Sequence, residues 1–280
     1  MINKLLLKIR NMKQTPDVKV IIAVHKECAL PEDGLYTPLH VGAACSEQVL
    51  PFLRDDSGEN ISLLNPLFSE LTGLYWAWKN LDFDWLGLVH YRRFFASRRR
   101  GKTPAESILK KEELLPLLER YRVLVPRKRH YVIETVYSHY DHTCDGSQLD
   151  QARRIIREKC PDYTEDFDAL MRRRVTWLFN MMIMPRDLID AYCTWLFDIL
   201  FELVRRVDAS QMNAFEKRYA GRVAESLFNV WIFHQLRTGA LRKQDILELP
   251  YVYIGKMNRW KKATAFLKAK LFHIKYKASF

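Results

Sequence analysis

The stretch Asn60–Phe95, NISLLNPLFSELTGLYWAWKNLDFDWLGLVHYRRFF, decides the fold class. Asn65 is placed to cap an orphan backbone donor and Pro66 suits the first helical position. Leu67, Leu71, Leu74, Tyr75 and Trp78 recur at helical spacing, which predicts one helix that stops at Asn80. Asp84 to Val89 follows as a short apolar run of strand length, and a continuous run rather than an alternation marks a buried parallel strand. That strand delivers His90, Tyr91, Arg92 and Arg93 to its carboxyl end. In open α/β sheets ligands bind in the crevice outside the carboxyl ends of the strands. Two adjacent guanidiniums and an imidazole there suit an anion of the diphosphate type.

The chain has 280 residues, 48% apolar and 28% charged, ordinary values for one α/β domain with a tail. The formal charge of +12 is not ordinary and calls for a polyanionic partner: nucleic acid, anionic lipid or a nucleotide-linked substrate. Cys28, Cys45, Cys144, Cys160 and Cys193 are odd in number and form no CxxC pair, which argues against a disulfide framework or a zinc site and fits a cytoplasmic setting. No stretch approaches the roughly 20 apolar residues of a spanning helix. Lys4, Lys8 and Arg10 interrupt the apolar run of Met1–Lys13, so no secretory leader is expected. The expected organisation is a basic amphipathic segment at 1–16, an α/β domain at 17–254 and a basic amphipathic tail at 255–280.

Val18–Val24, VKVIIAV, is a β-branched first strand ending at His25 and Lys26, with no glycine-rich phosphate loop after it. The loop 27–47 carries Tyr36 and His40, either facing a base or sugar or anchoring the loop. Asp55, Asp56 and Asn60 share a polar turn, where paired carboxylates suit Mg²⁺ or Mn²⁺ as well as they suit a solvated turn. Glu70 lies early in the predicted helix, where the macrodipole favours a carboxylate, so capping competes with catalysis. RKRHYVIETVYSHY, from Arg127, gathers cations and aromatics at a strand end with Glu134, Tyr137 and His139 beyond it. Such a mixture fits nucleic acid or a sugar nucleotide, and the lack of a recognition-module signature places nucleic acid second. Residues 175–184, VTWLFNMMIM, predict a strand with Asn180 at its centre, either satisfying core backbone or binding hydroxyls. Helices are expected over 187–205 and 215–235, the second presenting Arg222, Glu225 and Asn229 on one face as a site or as a salt bridge.

The segments IIAVHK from Ile21, DDSGENIS from Asp55, NPLFSELTGLYWAWKN from Asn65, GLVHYRRFF from Gly87, IETVYSHY from Ile133, the run beginning FNMMIMPRDL at Phe179, and AESLFNVWI from Ala224 occur in order. Together they resemble the domain-of-unknown-function family 4422 over roughly Lys19 to Tyr253. The resemblance implies a GT-A-like glycosyltransferase fold, α/β with a mostly parallel central sheet flanked by helices, in capsular polysaccharide or O-antigen synthesis. It implies a nucleotide sugar donor, UDP-linked, with galactofuranose as a candidate sugar, a lipid-linked oligosaccharide acceptor and an inverting displacement. On that reading His25, Lys26, Tyr36, Asp55, Asp56, Asn60, Tyr91, Arg92 and Arg93 serve the donor. His130, His139, Asn180, Arg222 and Asn229 serve the acceptor. Glu70, Glu134 or Glu225 is the base, with His90 beside it. HYRR stands where a metal-binding DxD would sit, so no cofactor is expected; should a divalent cation be needed, Asp55 and Asp56 are its candidates. The tail carries eight cations and no acid, as expected of a segment that holds a cytoplasmic enzyme on the anionic inner face of the cell membrane. A noncatalytic nucleic-acid-binding protein and an adaptor of a membrane complex are the rival readings.

Overall fold

A computed structural model of the chain describes residues 15–99 and 101–255. The segment at 1–16 and the tail at 255–280 lie outside the described residues except at their inner ends. In chain order the strands are β1 Val18–Val24, β2 Tyr36–His40, β3 Leu53–Arg54, β4 Trp85–His90, β5 Arg93–Phe95, β6 Val123–Pro126, β7 Arg129–His130, β8 Val175–Thr176, β9 Met182–Pro185, β10 Ile246–Leu249 and β11 Tyr251–Tyr253. All but β7 and β8 join one sheet, whose main path runs β10-β6-β9-β4-β1-β2-β3. β1 pairs parallel with β2 and β4, β2 with β3, and β10 with β6. Within that path only β9 is reversed, lying antiparallel between β4 and β6. The sheet is therefore mainly parallel.

The apolar run of β1 has a physical cause. Ile21 and Ala23 enter the core on one face of the sheet while Val20, Ile22 and Val24 enter the core on the other, so both side-chain sets are apolar. Helices Leu71–Asn80, Arg186–Arg206 and Tyr219–Thr238 cover the first face, and helix Lys111–Leu118 packs on the second. β4 turns at Tyr91 and Arg92 into antiparallel β5, with His90 opposite Arg93. β11 pins β5 from its other side, placing Tyr253 opposite Arg93. The four residues of HYRR are thus held in a short hairpin.

The stretch 27–47, expected as a loop, contains β2, which pairs parallel with β1 and so carries Tyr36 and His40 in the sheet. Two further elements are broken where the sequence predicts continuity. The single helix expected up to Asn80 is two, Asn65–Phe68 and Leu71–Asn80, broken at Ser69 with φ 54°. Asn65 does not cap; its Nδ2 donates to the Ser69 carbonyl at 2.8 Å and to Thr72 Oγ1 at 3.0 Å, bracing the break. The helix Tyr219–Thr238 crosses there at Gly221, where an added Cβ would stand 3.0 Å from the Phe68 carbonyl oxygen. Only glycine admits so close a backbone approach. Asn80 does close the second helix, donating to the Trp76 and Glu59 carbonyls at 2.8 Å each.

The strand expected over 175–184 is likewise broken, into β8 and β9. Between them the Trp177 backbone is paired by the Asn229 side chain instead of a neighbouring strand, and Phe179 and Asn180 take φ 78° and 51°. An apolar run cannot report that its backbone partner is a side chain 52 residues away.

Candidate active site

At the carboxyl ends of β1 and β4 opens a cavity of about 620 Å³. His25 comes to it from the end of β1, Ser69 and Glu70 from the helix break, His90 to Arg93 from the β4–β5 hairpin, and Lys217 and Arg218 from the approach to helix Tyr219–Thr238. One wall is cationic. Arg92 donates to the Tyr253 hydroxyl at 3.2 Å and its guanidinium lies 5.1 Å from the centre of the Tyr91 ring. Arg93 lies over Phe179 at 4.6 Å and near Tyr253 at 5.7 Å. Arg218 donates from Nε to Ser69 Oγ at 2.9 Å. Among the described residues Arg92, Arg93 and Lys217 make no salt bridge and all three line the cavity, with Arg93 near enough to Glu225 to act on its carboxyl. His25 packs edge-on to Tyr91 at 4.9 Å, with Lys26 5.6 Å from the same ring. Burial and then the cations Lys26, Arg218 and Arg92 hold the His25 imidazole below its usual range, so it is neutral near pH 7.

The same cavity is lined by a carboxylate with fixed neighbours. Glu70 occupies the N-cap position of helix Leu71–Asn80, yet its side chain makes no cap bond. Instead it accepts from Asn180 Nδ2 at 2.7 Å and stands 4.0 Å from His90 Nε2. His90 Nε2 donates to the Phe179 carbonyl at 2.5 Å. Burial lowers its pKa, outweighing the pull of Glu70, and Arg93 acts in the same direction as burial. Asn180 Nδ2 also donates to the Gly221 carbonyl at 2.9 Å, which ties the carboxylate to the helix crossing. Behind this group the Phe179 amide donates to Glu225 Oε2 at 3.1 Å. Burial, with the nearby Glu70 charge, pushes the Glu225 carboxyl up to about 7. Among the described residues the non-glycine ones with positive φ, Ser69, Phe179 and Asn180, all belong to this cluster. Such conformations cost on the order of 1 kcal/mol or more each and persist where surrounding contacts fix them, as they do at ligand sites.

Several residues expected at the site are placed elsewhere. Tyr36 is buried in the core, its hydroxyl donating to the Leu109 carbonyl at 2.7 Å and its ring edge-on to Phe94, so it does not reach the cavity. Asp55 is fully buried and accepts from the Gly42 and Ala43 amides, at 2.8 and 3.0 Å, and from Ser62 Oγ. The φ of 69° at Gly42 turns those amides inward. Asp56 is held by Arg54 through Nε and Nη2, and the Arg54 hydrogen bonds keep its carboxyl below the usual range. The paired aspartates therefore brace a loop, and among the described residues no cluster of three or more His, Cys, Asp or Glu could hold a metal ion. Asn60 closes its own turn, donating to Gly58 and accepting from the Ser62 amide. Asn229 is buried, with its amide occupied by Trp177 N–H, Trp177 C=O and the Glu225 carbonyl, and is a structural residue.

Glu134 accepts from His139 Nδ1 and His142 Nδ1 at 2.8 and 2.7 Å, and Tyr131 stacks on His139 at 4.1 Å; none of them lines the cavity. Burial works to raise the Glu134 pKa, and the two imidazole hydrogen bonds overcome it and hold it low, which leaves this carboxylate a poor proton acceptor. His130 is exposed on β7, and Arg222 donates to Cys144 Sγ at 3.4 Å and packs over Phe215. The residues missed from sequence are Ser69, Phe179, Lys217, Arg218 and Tyr253. Lys217 and Arg218 were hidden by the expected start of their helix at Phe215, whereas the α-helix begins at Tyr219 and leaves the basic pair facing the cavity.

No curated protein matches the chain. Among solved structures it is similar to one described as the apo structure of WbbM, a bifunctional glycosyltransferase, with 29% identity and a TM-score of 0.80. The match covers 86% of this chain and 46% of that one, so this chain spans less than half of its neighbour's length. The family model described as Domain of unknown function (DUF4422) matches residues 19–236, a span that begins in β1 and runs through the Glu70, HYRR and Glu225 segments of the cavity. The chain belongs to that family.

Proposed function

We propose that the chain is a glycosyltransferase that moves a hexosyl group from a nucleoside diphosphate donor to a hydroxyl of an oligosaccharide acceptor. The observation that carries this reading is the meeting, in a single cavity at the sheet's carboxyl edge, of cations that make no salt bridge among the described residues, Arg92, Arg93 and Lys217, with one oriented carboxylate, Glu70. The donor diphosphate lies on the cationic wall. As the acceptor oxygen bonds to the anomeric carbon and the bond to the diphosphate breaks, negative charge grows on the leaving group, and prearranged guanidiniums stabilise it. Glu70 takes the hydroxyl proton, with Asn180 fixing its orientation, while neutral His90 and Glu225 hold the Phe179 backbone from its two sides. The Arg and Lys wall does the electrostatic work that a divalent cation does at other diphosphate sites.

Kinship with the WbbM structure supports the transferase class, and the family resemblance supports a UDP-linked hexose such as galactofuranose, an inverting displacement and a lipid-linked acceptor in surface-polysaccharide synthesis. Among the described residues no helix is long and apolar enough to cross a membrane. The basic tail at 255–280 supplies a peripheral contact with an anionic inner-membrane surface. The test is a thermal-shift screen of the full chain against nucleotide sugars, followed by product analysis with a soluble acceptor mimic. A nucleotide sugar that raises the melting temperature and yields product is expected. A chain that responds to none of them, yet binds random oligonucleotides with steep salt dependence, contradicts the proposal.

A further inference from the structure

We propose that the face built by β7, β8 and the loop after β7 docks on an anionic membrane surface, independently of the tail. Val132 and Ile133 stand 85% and 59% exposed on that loop. They are not loosely held. β7 pairs antiparallel with β8, the Tyr131 amide donates to the Arg174 carbonyl at 2.7 Å, and the Val136 amide donates to the Arg173 carbonyl at 2.7 Å, so the loop is closed at both ends. An adjacent aliphatic pair presented to solvent from a fixed base is what an interface, rather than a chance surface residue, requires.

The surroundings identify the partner's chemistry. Arg129 opens β7 and exposed Arg127 precedes it by two residues; Arg174 immediately precedes β8, with exposed Arg172 two residues before that. Arg174 reaches the Val132 carbonyl at 3.4 Å and Arg129 lies 5.5 Å from the Tyr131 ring; among the described residues none of the four makes a salt bridge. Residues 127–135 contain one acid, Glu134, and it is buried between His139 and His142, while 172–184 contain none. Aliphatic side chains seat among lipid headgroups while guanidiniums bind the lipid phosphates bidentately. Single-stranded nucleic acid would need open aromatic faces, but the Tyr131 ring is stacked on His139 and Val132 and Ile133 offer no stacking surface. β8 runs on in three residues to Phe179, whose backbone is held by Glu225 and His90. Docking this face therefore places Phe179, three residues along the chain from β8, near the membrane, where a lipid-linked acceptor sits. That purpose rests on the transferase reading; the binding itself does not.

The experiment is hydrogen exchange and co-sedimentation of the full chain with phosphatidylcholine vesicles, with and without phosphatidylglycerol. Backbone amides over 129–135 should exchange more slowly on the phosphatidylglycerol vesicles only. The double variant Val132→Asp/Ile133→Asp should lower vesicle partition by about tenfold or more, from lost burial. Arg127→Gln and Arg172→Gln should each lower it roughly fivefold. Turnover on a soluble acceptor should be unchanged in all three. Exchange at 129–135 that ignores the vesicles overturns the proposal, as does vesicle binding unaltered in the double variant, or protection of these amides by an oligonucleotide but not by lipid. Loss of every transferase signal with vesicle protection retained would refute the transferase reading and leave the docking face standing.

Discussion

Replacing Glu70 by glutamine separates catalysis from folding at the centre of the site. The side chain makes no cap bond to its helix, so the fold loses only the attraction between a carboxylate and the helix N-terminus, about 0.3–1 kcal/mol. The amide of the variant still offers an oxygen to Asn180 Nδ2, which keeps the 2.7 Å contact and leaves the Gly221 carbonyl satisfied. What disappears is the proton acceptor. General-base catalysis contributes about 10²–10⁴-fold, so Glu70→Gln should lower kcat by at least a hundredfold while shifting the melting temperature by no more than a few degrees. Affinity for a nucleoside diphosphate should hold or rise, because a negative charge leaves a site that binds an anion. The assay is donor-saturated turnover on a soluble acceptor, with nucleotide binding measured on the same preparation. A variant that keeps kcat within about threefold of the parent refutes the assignment of Glu70 as the base.

Arg92→Ala and Arg93→Ala should each cost on the order of 3 kcal/mol in the transition state, or about a hundredfold in rate, with far-ultraviolet circular dichroism unchanged; a double variant with normal turnover contradicts the cationic wall. Asn229→Ala should destabilise by about 3 kcal/mol in urea unfolding, because it strands the buried Trp177 N–H and C=O, and it should do so without a nucleotide-binding defect of comparable size. Glu225 carries a pH signature. Its folded pKa of about 7 lies above the ordinary 4.5, so the native state holds the extra proton and stability falls as pH rises through that window. Glu225→Gln should flatten that fall, by up to about 3 kcal/mol across the window, as read from melting temperatures at the two ends. A Gln variant with the parent's pH slope contradicts it.

How much of this was legible in the sequence follows from the range of the forces involved. β1, β4 and the HYRR cluster at the end of β4 could be read because a strand buried on both faces must be apolar along its length, and the polar cluster stands out where the run ends; the turn into β5 was not foreseen. The break at Ser69 could not, since it is braced against a helix crossing at Gly221, about 150 residues away, and no local propensity favours a serine at φ 54°. Asp55 and Asp56 were ambiguous for a different reason. A carboxylate pair in a turn has the same composition whether it waits for a cation or, as here, accepts backbone amides and an arginine. Tyr36 was misplaced because a tyrosine in a long loop gives no sign of a core partner; here that partner is the Leu109 carbonyl. Tyr253, which braces Arg92 across the β5–β11 pairing, lies at the far end of the domain with only sheet topology to connect it.

The most direct test of the account is the affinity of the full chain for UDP measured by titration calorimetry in EDTA, for the parent and for Arg93→Ala. The account predicts binding without a divalent cation and a loss of about tenfold or more in the variant, as expected when one charge-assisted contact to a diphosphate is removed. Binding that requires Mn²⁺, or that is untouched by the loss of Arg93, would contradict it.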